Sequence, residues 1–260
     1  MLRESASGTI GFGANRENEA AEYQEGGASV TTLRVKRIVS EMRRAAGTAD
    51  RLSKIEGMKR FGIVPRRAIG LTIPQLREIA RGILRLDNGP NQALAEELWE
   101  TGIHDARILA SLIGDPAAIH PTVMDCWARD FTSWDICDAC CCNLFDRSPH
   151  AWKQIAKWAR SREEYVRRAA FATIAGLAVH DKAARDAAFL KVLPLIEKHA
   201  CDDRNFVRKA VNWALRNIGK RNAALRVEAM ACAERVREQG TKSARWIAAD
   251  ALRELRARNG

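Results

Sequence analysis

The sequence predicts an all-α chain whose short helices stack as hairpins into a solenoid. Three observations lead there. From Val30 onward almost every segment carries apolar residues at helical period, and no alternating strand pattern runs longer than a few residues. The gaps between these segments hold helix-start chemistry: Thr72 ahead of Pro74, Asp115-Pro116, and Ser148-Pro149. One motif also returns after 41 residues, where Tyr165-Val166-Arg167-Arg168-Ala169-Ala170 matches Phe206-Val207-Arg208-Lys209-Ala210-Val211. That offset lies in the roughly 40–47-residue range of HEAT and armadillo units, which stack helix pairs. A looser third copy is Ala244-Arg245-Trp246-Ile247-Ala248.

Taken in order, residues 1–29 hold five glycines and no apolar period, which marks a flexible tail. Residues 30–260 read as a single HEAT-like helical-repeat domain. Helices are expected at 30–46, 49–60, 73–86, 90–101, 103–114, 121–129, 132–145 and 150–160. They continue at 162–179, 183–199, 203–218, 222–238 and 242–258.

Composition narrows the class. Of 260 residues, 47% are hydrophobic and 29% charged, which excludes a disordered chain, a collagen and a disulfide-stapled scaffold. No apolar run reaches the ~18 residues of a membrane span, and Met1-Leu2-Arg3-Glu4-Ser5 lacks the apolar core of a secretory signal. A cytoplasmic, nucleoid-associated protein with no membrane partner is expected. The net charge of +11 is unevenly spread. Residues 1–150 carry 19 basic and 20 acidic side chains, whereas residues 151–260 carry 24 and 12. A one-sided excess of this kind suits either a surface that meets phosphates or a solvated basic helix face.

Seven cysteines, an odd number, argue for reduced thiols. Cys137 and Cys140 have the spacing of half a zinc site, but no second C-x-x-C or H-x-x-H follows. Buried thiols and no metal are therefore expected.

Two groups of residues invite chemistry. Lys209, Trp213, Arg216 and Lys220 fall at i, i+4, i+7 and i+11, so they share one helical face. Three cations around an indole suit a nucleic-acid backbone with the ring against sugar or base. A half-buried Trp ringed by solvated stems is the plainer account. The other group begins at Ser133-Trp134-Asp135-Ile136-Cys137-Asp138. Ser133 or Thr132 can cap the helix and Asp135 can meet its dipole, so these need no further role. Asp138 lies one turn after Trp134, on its face, and within reach of Arg168 in the next repeat. Either an Asp–Arg bridge between repeats or a carboxylate and indole facing a substrate fits. In the repeated motif, Arg167 and Arg208 read as packing residues; for Arg168 and Lys209 both roles stand.

These blocks resemble the AlkD-type family of DNA alkylation repair proteins, HEAT-like repeat DNA glycosylases. The resemblance rests on Trp134-Asp135-Ile136-Cys137-Asp138, on Tyr165 to Phe171, and on Val207 to Lys220. Met58-Lys59-Arg60-Phe61-Gly62 through Gly70 to Arg77 matches that family's N-terminal segment, so the likeness spans about residues 50–225. It implies catalytic roles for Trp134 and Asp138, backbone binding by Arg168, and a DNA contact for Trp213. Lys209, Arg216 and Lys220 join them as expected DNA-binding cations. Gly57 stands where some members carry an aromatic residue before the Met-Lys pair. The implied activity is monofunctional hydrolysis of the N-glycosidic bond of N3- or N7-alkylated purines in duplex DNA, by a monomer without cofactor or metal. A non-catalytic protein that binds bent or branched DNA, and a protein-interaction scaffold, are the rival readings.

Overall fold

The computed structural model describes residues 27–47 and 51–257, and every regular element among them is helical. In chain order these are α1 (Gly27–Ala46), α2 (Arg51–Lys59), α3 (Ile73–Leu86), α4 (Gln92–Glu100), α5 (His104–Ile113), α6 (Pro121–Arg129) and α7 (Trp134–Asn143). A 3-10 turn, Phe145–Arg147, precedes α8 (Ala151–Trp158), α9 (Glu164–His180), α10 (Asp186–Leu190) and α11 (Leu193–His199). The stack closes with α12 (Asn205–Arg221), α13 (Ala223–Glu238) and α14 (Lys242–Arg256). No described helix is long and apolar enough to cross a membrane.

Helix starts follow the residues. Thr72 and Gln75 form a reciprocal capping box at α3 with Pro74 in the first turn, and Asn91, Asn222 and Thr241 cap α4, α13 and α14. Three expected helices differ at a boundary by three residues or more, among them α12, which runs to Arg221 instead of 218. Helix α1 begins at Gly27, three residues inside the expected tail; residues 1–26 of that tail lie outside the described residues. The single helix expected over 183–199 is two, broken at Lys191-Val192. Pro194 has no N–H for the Leu190 carbonyl and its ring crowds that position, so the helix restarts with Pro194 in its first turn.

Consecutive helices pair as α4/α5, α8/α9, α11/α12 and α13/α14; α6 and α7 take the corresponding first and second places, with α6 packed on α9. The second members pack directly on one another in the order α5, α7, α9, α12, α14, while among the first members α4, α6, α8 and α11 keep their backbones farther apart and only α11 and α13 pack closely. The second members thus form one continuous packed row, the inner row, and the first members the outer row. Small residues permit that close row: Ala169, Ala170, Ala172, Ala175 and Gly176 of α9 are all buried. A Cβ on Gly176 would stand 2.6 Å from Asp146 Oδ2, so only glycine lets the 3-10 turn approach. The outer row is filled by aromatics, with Trp99 and Trp127 stacked at 4.2 Å and Phe131, Phe145 and Trp158 extending the series.

Candidate nucleic-acid interface

The inner row carries the residues singled out above. Helix α7 starts at Trp134, and one turn places Asp138 beside it. The local cap differs from expectation: Ser133 occupies the N-cap, but its hydroxyl donates to Asp135 Oδ1 at 2.5 Å instead of accepting from the helix. Asp135 Oδ1 accepts the Ile136 N–H, and its Oδ2 lies 2.8 Å from His104 Nε2. Burial would raise the Asp135 carboxyl, but the His104 and Ser133 contacts win and hold it below the ordinary aspartate range. Asp135 is thus spent on fixing the start of α7.

Asp138 meets Arg168 in a two-pronged pair. Arg168 Nε donates to Asp138 Oδ1 at 2.9 Å and its NH2 group to Oδ2 at 2.7 Å. The third nitrogen donates to the Phe206 carbonyl at 2.5 Å. One guanidinium therefore ties α7, α9 and α12 together, and its side chain is only 7% exposed against 21% for Asp138. Burial pushes the Asp138 carboxyl up from the ordinary aspartate range, with Arg168 pulling against that. The bridge between repeats is a fact of the fold, and about a fifth of the Asp138 side chain, 21%, stays exposed one helical turn from Trp134.

Aromatic side chains that the sequence reading did not assign to the site gather around this pair. Tyr165 and Phe206, the matching first residues of the repeated motif, lie 5.6 Å apart between ring centroids. Trp134 Nε1 donates to the Phe61 carbonyl at 2.9 Å, and a Cβ on Gly62 would lie 3.1 Å from the Phe206 ring. The segment after α2 is thereby held against the inner face, with the Phe61 side chain 67% exposed. The signal for Tyr165 and Phe206 was the 41-residue repeat itself; for Phe61 no local pattern existed.

Helix α12 is continuous, so Lys209, Trp213, Arg216 and Lys220 do share a face. On one flank Asn217 donates to the Ala175 carbonyl of α9 at 3.1 Å; on the other Asn212 donates to Asp250 of α14 at 2.7 Å. The stripe lies between these flanks and faces the inner side. Lys209 is exposed and Trp213 half-buried against the core. Arg216 and Lys220 are not bare cations: Glu254 of α14 takes Arg216 at 2.6 Å and Lys220 at 3.0 Å, and Asp250 lies 3.4 Å from Arg216. The inner face thus pairs much of its own positive charge.

The cysteines sit apart from this chemistry. Cys137, Cys140 and Cys141 are buried, and the Cys137 and Cys141 thiols donate to the Tyr165 and Ala169 carbonyls of α9. Burial pushes all three thiols above their ordinary range. Among the described residues no three His, Cys, Asp or Glu side chains gather as a metal site would require.

A solved structure described as "A new family of proteins related to the HEAT-like repeat DNA glycosylases with affinity for branched DNA structures" superposes with a TM-score of 0.65 at 22% identity. The match covers 77% of this chain and 82% of that one, and shows a shared HEAT-like repeat fold. No curated protein matches. The profile of a family described as DNA alkylation repair enzyme matches residues 44–255. The chain belongs to the DNA alkylation repair enzyme family.

Proposed function

We propose that the protein is a monofunctional DNA glycosylase that hydrolyses the N-glycosidic bond of N3- or N7-alkylated purines in duplex DNA. One observation carries the reading: a carboxylate, Asp138, held through both oxygens by Arg168, still partly exposed, and one helical turn from Trp134. An alkylated purine is already cationic, so its bond to C1′ breaks with the electron pair leaving on the base and needs little acid assistance. Positive charge then grows on the sugar. A fixed carboxylate is the group that stabilises it, with the Trp134 face beside the sugar. Water adds at C1′ and gives up its proton to Asp138 or to solvent. Arg168 positions Asp138, and a phosphate oxygen pressed against the small part of the guanidinium that reaches the surface would meet its remaining N–H bonds. Lys209, Trp213, Arg216 and Lys220 would follow the backbone along α12, the latter two on release from Glu254. On this reading the protein acts as a monomer at the nucleoid, without cofactor or metal.

A second reading is favoured by the fold neighbour, whose description names affinity for branched DNA. In it the same inner face binds branched duplex and no bond is broken. Release of methylated purines from alkylated duplex, measured in single turnover, separates the two. Release by wild type that falls on the order of a hundredfold in Asp138→Asn supports the glycosylase. No release, together with tighter binding to a four-way junction than to linear duplex, replaces it with the binder.

A further inference from the structure

Two adjoining hollows lie away from the Asp138–Arg168 pair, the larger on the outer row and the smaller at the turns before α9 and α12. The larger, about 470 Å³, sits between α8 and α11. Two features of the fold open it. The outer helices α8 and α11 do not pack directly on one another, and the break before Pro194 puts Lys191 and Val192 in its wall. The floor is apolar, formed by Trp152, Ile155, Val192 and Leu195, of which only Ile155 is fully buried. The rim is cationic, with the exposed side chains of Arg160, Lys191 and Lys198.

The rim charge is uncompensated. Among the described residues no carboxylate pairs with Arg160, Lys191 or Lys198, and none lines the larger hollow. Arg167, where the two hollows meet, is balanced by Asp202 at 2.7 Å. His199 adds no cation, because burial and the neighbouring Arg167 hold its ring below the ordinary histidine range.

We propose that this groove between α8 and α11 docks an acidic peptide segment of a partner protein that carries an apolar anchor side chain. Charge complementarity selects the acid. The floor favours a peptide over a nucleic acid because, beside Trp152, it is aliphatic: Ile155, Val192 and Leu195 are covered by an apolar side chain, whereas a base stacks on aromatic rings. A Phe or Leu flanked by Asp or Glu covers the floor while its neighbours meet the rim, which is how small concave sites bind with few contacts. The groove is on the outer row, so it stays open whatever the inner face holds.

Fluorescence anisotropy with a fluorescein-labelled peptide, Gly-Asp-Asp-Phe-Asp-Asp-Leu, tests this on the full chain. The double variant Lys191→Glu, Lys198→Glu should lower affinity by about tenfold or more, because both changes are at exposed rim positions and reverse charge. The same reversal at the exposed Lys242 and Arg245 should change affinity less than about twofold, and a peptide with Ser for Phe and Leu should bind about tenfold more weakly. Equal losses in both protein variants would mean bulk charge attraction and overturn the proposal. Undiminished binding of the serine peptide would remove the apolar anchor and overturn it too. If the Lys191, Lys198 variant instead loses single-stranded or duplex DNA in step with the peptide, the groove is a nucleic-acid site. Circular dichroism melts of both variants establish that the fold is intact.

Discussion

Asp138 gives both carboxylate oxygens to Arg168 and still keeps a fifth of its side-chain surface open. Those two facts make separate predictions for Asp138→Asn. The structural one is lost stability, because an amide cannot satisfy a guanidinium that is nine-tenths buried; breaking a buried pair costs about 3–5 kcal/mol. The chemical one is lost base release, by on the order of a hundredfold, because the neutral amide no longer stabilises the charged sugar. Single-turnover rates taken well below the melting temperature separate them. A folded, DNA-binding Asp138→Asn protein with wild-type release would end the catalytic assignment. A pH profile adds a second reading of the same group. Burial raises the Asp138 carboxyl, and the mechanism needs it ionised, so release should decline as pH falls through a value above the ordinary aspartate range. The Asn variant should lose that acidic limb.

Individual helices were the most legible part of the sequence, because helical period and caps are local. Thr72 with Pro74 announced α3, and the 41-residue repeat of Tyr165 in Phe206 announced α9 and α12 as equivalents. The break at Lys191-Val192 was hidden because Val192, Leu193, Leu195 and Ile196 keep the apolar period running across it. Trp134, Asp138 and Arg168 were legible from one turn of helix and one repeat of spacing. Glu254 and Asp250 were not, since their pairing with Arg216 and Lys220 depends on how α12 and α14 align some 30–40 residues apart. The turn before α12 is another such long-range joint, in which Asp202 accepts from Arg204 at 2.6 Å and from Arg167 of α9 at 2.7 Å. Burial alone would raise this carboxyl, but the two arginines lower it to about 2. A pKa depressed on folding contributes stability above the unfolded value of about 3.9, lost as pH falls toward about 2. With Asp202 only 6% exposed, the contribution is on the order of 2 kcal/mol. Asp202→Asn should therefore lower Tm by about 4–8 °C at pH 7, and the gap from wild type should close between pH 4 and pH 2. A gap that persists unchanged at low pH would show that the turn owes its stability to packing instead.

Across the whole molecule the basic excess of residues 151–260, 24 cations against 12 acids, predicts salt-dependent binding to undamaged duplex. The fold refines how much of it the α12 stripe supplies. Lys209 is exposed, whereas Arg216 and Lys220 share Glu254, and Asp250 stands beside Arg216 with Arg253 as a further partner. Each pair must open before its cation can meet a phosphate, and the energy of opening comes out of DNA affinity. Changing Lys209, Arg216 and Lys220 together to Gln should weaken duplex binding. It should also flatten the plot of log K against log salt by roughly one to three units, since each phosphate contact contributes about 0.9. Glu254→Gln should do the opposite. With the carboxylate gone, Arg216 and Lys220 are released, so affinity at low salt should rise several-fold, about 3–10, and the slope should steepen by about one. The two variants must move in opposite directions if Arg216 and Lys220 touch DNA. A slope unchanged in the triple variant would move the DNA surface off α12. A triple effect with no response to Glu254→Gln would leave Lys209 as the contact and make the Glu254 cluster a clamp between α12 and α14, which a lower Tm for Glu254→Gln would then register.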